Sequence, residues 1–321
     1  MDKPLVSMIT YCFNGERFVH KYFEAILAQT YPNIELIFFD NGSVDKTYEI
    51  AKAYQPKLES RGIQVQLIRY EENQPTSSLK QKGFELMHGE YFFGCDSDDL
   101  IHPTYMEEMQ AYLEEHPEKG IVFCQLRTIL EETGELLGIA KLTHRSKDKE
   151  AFLDMLYARN TLFTGISHMM RKSHFLKVNP EMKLHSSRYG ENYQVQLPFL
   201  YHNLQGYIDK PLGDYFVRHD SYTGKLNKDP MKQIIAYRGQ EENIIKTLER
   251  MNIPNKEQYY PIFQKRLREE AFAASLQQQD KALRKECYLS LKEVHGVSAK
   301  NFVAYHCPLL FRLAKKVIQR R

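Results

Sequence analysis

The chain opens on an alternation of two hydrophobic periods. Leu5 to Tyr11 is a short apolar run that reads as a buried strand, and Phe18, Val19, Tyr22, Phe23, Ile26 and Leu27 then recur at helical spacing. Ile34 to Phe39 is a second buried strand, ending at Asp40-Asn41-Gly42-Ser43, with a polar helix from about Asp45. Val65 to Ile68 predicts a third strand. Ser77 to Met87 predicts a helix closed by Gly89. Tyr91 to Phe93 is a fourth strand that stops at Asp96-Ser97-Asp98-Asp99, and Ile121 to Leu126 a fifth. This order implies an α/β fold with a mostly parallel sheet and helices on both faces. In such sheets ligands bind beyond the carboxyl ends of the strands, where the polar clusters after Tyr11, at Asp40 and at Asp96 fall.

Beyond residue 128 the pattern is mixed. Glu132-Thr133-Gly134 reads as a hairpin turn, Glu191 to Tyr201 as a helix, and Tyr207-Ile208 as a short strand before Pro211. After Pro230 the pattern is almost all helical. The expected organisation is an α/β domain over 1–225, in two parts (1–125 and 126–225), followed by a helical region over 226–321.

Composition changes this picture little. The 321 residues are 42% hydrophobic and 26% charged, ordinary for a globular protein, and the net charge of +3 does not suggest a nucleic-acid binder. No apolar run reaches the roughly 18 residues that span a bilayer, and the N-terminus does not read as a secretory signal. Five cysteines without metal or redox spacing read as reduced thiols of a cytosolic protein. Tyr (21) and Phe (18) are abundant, and most of these rings are expected in the core.

The chemistry concentrates in Asp96-Ser97-Asp98-Asp99. Carboxylates this close repel, and a hard divalent cation offsets them; magnesium and manganese take oxygen ligands, often one or two carboxylates plus substrate phosphates. The alternative is an acidic turn capping the helix that starts near Thr104. Asp40 and Asn41 have the hydrogen-bonding capacity to meet a base or ribose. No Gly-x-Gly-x-x-Gly follows the first strand and there is no Gly-Lys-Ser/Thr loop, so phosphates must be held by metal and side chains.

These segments together resemble a family-two glycosyltransferase of the GT-A fold, of the bacterial cell-surface polysaccharide type. Val6 to Ile9 with Phe13-Asn14-Gly15-Glu16 resembles the family's first strand and loop, and Leu27 to Leu36 its Gln-Thr-Tyr-x-Asn stretch. Asp40 to Thr47 resembles its Asp-Asp-Gly-Ser-x-Asp-x-Thr, and Gly89 to Asp99 its Gly-Glu-Tyr strand and Asp-x-Asp motif. The resemblance implies an inverting transfer of a sugar from a nucleoside-diphosphate donor, uridine-linked, to a hydroxyl of a saccharide or lipid-linked saccharide. It implies that Thr10, Tyr11, Phe13, Asp40, Asn41, Lys80, Asp96 and Ser97 surround the donor. Asp98 would hold manganese or magnesium, with His219 of a late Arg-x-His-like loop as a second ligand.

Asn41, Lys80 and Asn192 stand where the family has Asp, Arg and the Asp that serves as general base. An amide cannot take up a proton usefully, which leaves Glu191 as base, or else as an acidic residue stabilising a helix N-terminus. A non-catalytic sugar-nucleotide binding or scaffold protein is the alternative function. A nucleotidyltransferase is disfavoured, because Thr10 to Gly15 contains neither Arg nor Lys. The apolar and basic residues of 306–321 form an amphipathic pattern, either a packing helix or a peripheral contact with an anionic membrane from the cytoplasmic side.

Overall fold

The computed structural model describes residues 3–146, 149–218, 221–226 and 228–308. The chain divides into two compact units, Met1–Arg218 and His219–Arg321.

The first unit begins β1 (Val6–Cys12), α1 (Val19–Leu27), β2 (Ile34–Asn41), α2 (Thr47–Ser60), β3 (Gln64–Tyr70), α3 (Thr76–Leu86) and β4 (Tyr91–Gly94). It continues through β5 (Leu100–Ile101), α4 (Tyr105–Glu115), β6 (Ile121–Leu130), β7 (Glu135–Ala140), α5 (Glu150–Leu156), β8 (His168–Arg171), α6 (Lys172–Val178), α7 (Glu191–Tyr201) and β9 (Gln205–Val217). All nine strands form one sheet in the order β3-β2-β1-β4-β8-β6-β9-β5, with β7 paired to β6. β3, β2, β1 and β4 are parallel, as the alternation of strands and helices requires. The rest of the sheet is mixed: β8 runs antiparallel between β4 and β6, whereas β6 and β9 pair in parallel. This is a GT-A α/β architecture.

Strand parity sorts the core into two faces. Val6, Met8, Leu36, Phe38, Phe93 and Val122 pack on one side with Phe23 of α1, Leu58 of α2 and Met109 of α4. On the other, Phe84 of α3, Phe92 of β4, Phe175 of α6 and Phe199 of α7 form a chain of rings with centroids 5.0–6.0 Å apart. Such edge-on and offset contacts add to the burial of large apolar areas. Helix α3 lies close against β1 because Gly83 faces Ile9; a Cβ at residue 83 would sit 2.6 Å from Ile9 Cγ2.

The expected short strand at Tyr207-Ile208 is corrected to the thirteen-residue β9, which passes through Pro211. Pro cannot donate to a ladder, and it is accommodated here where the β6–β9 register shifts around Gln125, the residue opposite Pro211. The hairpin turn expected at Glu132 to Gly134 joins β6 to β7, with Gly134 at φ 73°.

The second unit contains α8 (Tyr222–Leu226), α9 (Pro230–Arg250), α10 (Tyr260–Ser275), α11 (Lys281–His295) and α12 (Ala299–His306). Its core joins Ile234, Phe272, Tyr288, Leu291 and Ala304. Asp229 and Asp280 cap α9 and α11 by accepting two backbone N–H bonds each. Among the described residues no helix is long and apolar enough to cross a membrane.

Candidate functional site

The site is assembled on the carboxyl edge of β1, β2 and β4. The loop after β1 is latched to the loop after β2. Asn14 N–H donates to Ser43 Oγ at 2.9 Å, Gly15 N–H to Thr47 Oγ1 at 2.8 Å and Glu16 N–H to Asp45 Oδ2 at 3.0 Å. Val44 N–H donates in return to Asn14 Oδ1 at 3.0 Å. These bonds give Ser43, Asp45 and Thr47 a role in holding the two loops together. Gly42 sits at φ 78° with the Glu72 backbone 2.9 Å from where a Cβ would stand, so only glycine fits this close approach.

The expected donor-binding residues separate by strand parity. Thr10 shares the face of Met8 and Cys12; its hydroxyl is fully buried and hydrogen-bonded to Tyr22. Its side chain is therefore turned into the core, and only its backbone lies at the edge. Tyr11 points to the opposite face and stacks on Phe39 with centroids 5.8 Å apart. Burial, then the charges of Asp96 and Glu191, push the Tyr11 hydroxyl well above its usual pKa, so it remains a hydrogen-bond donor. Phe13 is exposed beyond the strand end. Asp40 is buried beside Cys12: Ser43 N–H donates to Oδ1 at 3.3 Å, while Oδ2 lies 3.4 Å from Arg69 Nε but accepts no hydrogen bond. Burial raises its pKa. The Asn41 amide is turned to the Gln74 backbone, donating to its carbonyl at 3.1 Å and accepting its N–H at 2.8 Å. Asn41 thus holds the loop before α3 rather than presenting a free amide.

The four residues Asp96 to Asp99, beyond β4, occupy four environments. Asp96 is exposed; its backbone carbonyl accepts the Asp99 N–H at 3.1 Å, while its carboxylate makes no hydrogen bond or ion pair among the described residues. Crowding by protein on its other sides, followed by Asp98 and Glu191, raises its pKa, and Lys80 opposes this. Ser97 is nearly buried behind Gly15. Asp98 is 32% exposed and paired with the guanidinium of Arg218, which lies 4.1 Å from the Phe18 ring centroid. Asp99 is buried and accepts the Phe216 N–H of β9 at 3.3 Å. Burial, then the two neighbouring aspartates, raise its pKa well above the ordinary range.

Helix α7 supplies the facing wall. Gly190, at φ 70°, turns the chain so that Glu191 begins the helix. The Glu191 carboxylate makes no hydrogen bond among the described residues, and its charge acts on both Asp96 and Tyr11. Asn192 is fastened instead: its Oδ1 accepts from Lys80 Nζ at 3.0 Å, and its Nδ2 donates to the Phe163 carbonyl. A cavity of about 20 Å³ beneath this wall is lined by Tyr11, Lys80, His168 and Asn192. Burial, then Lys80, lowers the His168 pKa to about 3, so that imidazole is neutral.

Arg218 and the bond between Lys80 and Asn192 are the parts of the site that sequence reasoning missed. The only signal for Arg218 was its place next to His219, which itself lies outside the described residues. No group of three or more His, Cys, Asp or Glu side chains converges as a metal cage among the described residues. A hard cation that shares its shell with phosphate oxygens needs only one or two carboxylates, and the unbonded Asp96 beside Asp98 meets that requirement.

The profile of Glycosyl transferase family 2 matches residues 7–178. EpsH of Bacillus subtilis, named as a glycosyltransferase, is 31% identical over 159 residues, covering 49% of this chain and 44% of EpsH. An uncharacterised glycosyltransferase of Rickettsia typhi is 30% identical over 198 residues, covering 61% of this chain and 59% of the relative. The chain thus spans about half the length of these curated relatives. Among solved structures, S. aureus TarS 1–349 in complex with UDP-GlcNAc superposes with a TM-score of 0.59 at 13% identity, over 94% of this chain and 91% of TarS 1–349. The mannosyltransferase PcManGT of Pyrobaculum calidifontis superposes at 0.52 and 14% identity, over 98% of this chain and 84% of its own. The likeness of fold and the profile match across more than half of the chain converge: this chain belongs to glycosyl transferase family 2.

Proposed function

We propose that this chain is an inverting glycosyltransferase that takes a hexosyl or N-acetylhexosaminyl group from a uridine diphosphate donor and passes it to a hydroxyl of a saccharide or lipid-linked saccharide. The observation that carries this is the grouping of two carboxylates without hydrogen bonds, Asp96 and Glu191, near enough for both to act on Tyr11 and for Glu191, Asp98 and Lys80 to act on Asp96. TarS, with its UDP-GlcNAc complex, supports the uridine donor, and PcManGT in complex with GDP-Man and Mn2+ supports a divalent metal.

Tyr11, through its ring and its protonated hydroxyl, would meet the nucleotide, and Lys80 would face the diphosphate. Asp96 and Asp98 would hold manganese or magnesium, which when bound neutralises charge on the departing diphosphate. Arg218 must then share or release Asp98. The acceptor hydroxyl would attack in line, its oxygen bonding to the anomeric carbon as the bond to the diphosphate breaks; one displacement inverts the centre. Glu191 would receive the hydroxyl proton, since Asn192 is an amide already committed to Lys80 and Phe163. The oxocarbenium-like charge that develops is favoured by the surrounding carboxylates.

The test is donor binding and transfer in Asp98→Ala and Glu191→Gln. Loss of manganese-dependent UDP binding in the first, and in the second a fall in turnover of about 10²-fold or more with donor binding kept, are expected. Near-normal turnover in Glu191→Gln would remove the base. Donor binding by the wild-type chain without transfer to any acceptor would favour a sugar-nucleotide binding protein. We further propose action at the cytoplasmic face of a membrane through 306–321, a segment whose residues 309–321 lie outside the described ones. Its deletion should weaken binding to anionic vesicles, and unchanged binding refutes this.

A further inference from the structure

A second cavity, of about 200 Å³, lies in the first unit between β6, β9 and the loop 141–146. At ~30 Å³ per water it has room for a ring-sized group rather than for one or two waters. Phe123 and Tyr207 line it with nearly parallel rings, centroids 6.0 Å apart and 24° between planes. Thr143, His144, Arg145 and Asp209 complete the wall. Arg145 and Asp209 form an ion pair and are 62% and 65% exposed, so the charge at the rim is balanced and wet.

The outer wall is built rather than draped. Asn160, at φ 45°, accepts Thr143 N–H at 2.6 Å and Thr143 Oγ1 at 2.9 Å on its Oδ1, and its Nδ2 donates to the His144 carbonyl at 3.0 Å. Ser146 Oγ donates at 2.6 Å to the buried Asp154, which also accepts from Arg159 Nε at 2.7 Å. Burial alone would raise the Asp154 pKa; these hydrogen bonds outweigh it and hold a carboxylate below its usual range. An ionised carboxylate is thus spent on fixing a surface loop, a use that makes sense where the loop must keep a shape.

The cavity is tied to the proposed reaction site through the segment Leu162-Phe163. Asn192, next to Glu191, donates to the Phe163 carbonyl, and Gln196 Nε2 of the same helix donates to the Leu162 carbonyl at 3.1 Å. Leu162 lines the cavity. One segment therefore carries both the neighbour of Glu191 and the cavity wall.

We propose that this cavity is the subsite for one saccharide ring of the acceptor, an inference that rests on the glycosyltransferase reading above. A pyranose has a flat C–H face and a rim of hydroxyls that both donate and accept. Here the aromatic rings of Phe123 and Tyr207 in the wall meet the first requirement. Guanidinium, carboxylate, imidazole and hydroxyl groups around them meet the second. A nucleotide phosphate is a poor match, because the one guanidinium is already paired with a carboxylate.

The experiment records saturation-transfer NMR of methyl glycosides of glucose, galactose, mannose and N-acetylglucosamine with the full chain, and the melting shift given by UDP with manganese on the same samples. Two variants are compared with the wild type: Arg145→Ala combined with Asp209→Ala, which removes both partners of an exposed pair, and Leu162→Trp, which fills the cavity. Saturation of at least one glycoside in the wild type, weakened about tenfold in both variants as lost charge-assisted hydrogen bonds or lost space require, is expected. A glycoside signal undiminished in both variants overturns the subsite. So does the absence of any glycoside signal in a wild-type chain that UDP stabilises. A cavity-dependent glycoside signal without any UDP shift would uphold the saccharide subsite and remove the nucleotide-sugar reading instead.

Discussion

Restoring an aspartate at residue 192 is the sharpest perturbation of this site, because family resemblance and geometry disagree about it. By resemblance, Asn192→Asp returns the missing base and should quicken transfer. In the structure the Asn192 amide bridges Lys80 Nζ, 3.0 Å away, and the Phe163 carbonyl. A carboxylate keeps the first contact and loses the second, setting two acceptor oxygens against each other. Leaving that carbonyl without its donor costs about 1–3 kcal/mol. The new ion pair with Lys80 returns roughly 0–1 kcal/mol at a half-exposed position. The added negative charge also joins Asp96, Asp98 and Glu191 around one cleft, which works against it. The net is a loss of about 1–3 kcal/mol, or roughly 2–10 °C in melting temperature for a unit of this size. Scanning calorimetry of both proteins, with sugar transfer assayed at neutral pH, reads both halves. A lower melting temperature with turnover no faster than wild type is expected. A variant that melts at or above the wild type and transfers faster would refute the argument that Asn192 is a fastener.

Glu35 sits inside β2, where burial would raise its pKa but hydrogen bonds from Ser7 Oγ at 2.5 Å and His88 N at 2.9 Å, together with the His88 ring, lower it overall. A depressed carboxylate stabilises the fold above its unfolded pKa, and that contribution is lost as pH falls through the lowered folded value. Glu35→Gln should therefore flatten the acid limb of a plot of melting temperature against pH; an unchanged limb counts against this linkage. Gly42→Ala must place a Cβ 2.9 Å from backbone at φ 78°, so a loss of about 2 kcal/mol in denaturant unfolding is expected, and a change within about 0.5 kcal/mol would contradict it. Arg218→Met keeps an apolar stem over Phe18 but removes the cation that holds Asp98. Manganese should bind the variant severalfold more tightly by titration calorimetry, given about 1 kcal/mol for such a partly exposed pair. Equal or weaker binding would show that Arg218 does not compete at that carboxylate.

Apart from the two-residue β5, the order of strands and helices through Ile121 was legible in the sequence because hydrophobic period is a local property, set by which face of each element must leave water. The same pattern placed Tyr11, Asp40 and Asp96 to Asp99 at strand ends, and the parallel topology then put those ends on one edge. Period 2 even contained the fate of Thr10, which shares parity with Met8 and Cys12 and turns into the core with them. Tertiary structure alone decided the rest. Pro211 reads as a strand end, yet β9 runs through it because β9 itself bulges there, with Asp209, Lys210 and Leu212 left without a register partner on β6. Asn41 reads as a ligand-facing amide, yet the Gln74 backbone satisfies both of its groups. Asn192 reads as a lost base, yet it ties Lys80 to Phe163, and Asp98 meets Arg218 across 120 positions of sequence. Each of these depends on which polar group lies opposite once the sheet has closed. A hydrogen bond selects its partner by distance and direction in space, and one chain's pattern of apolar and polar residues records neither for positions so far apart.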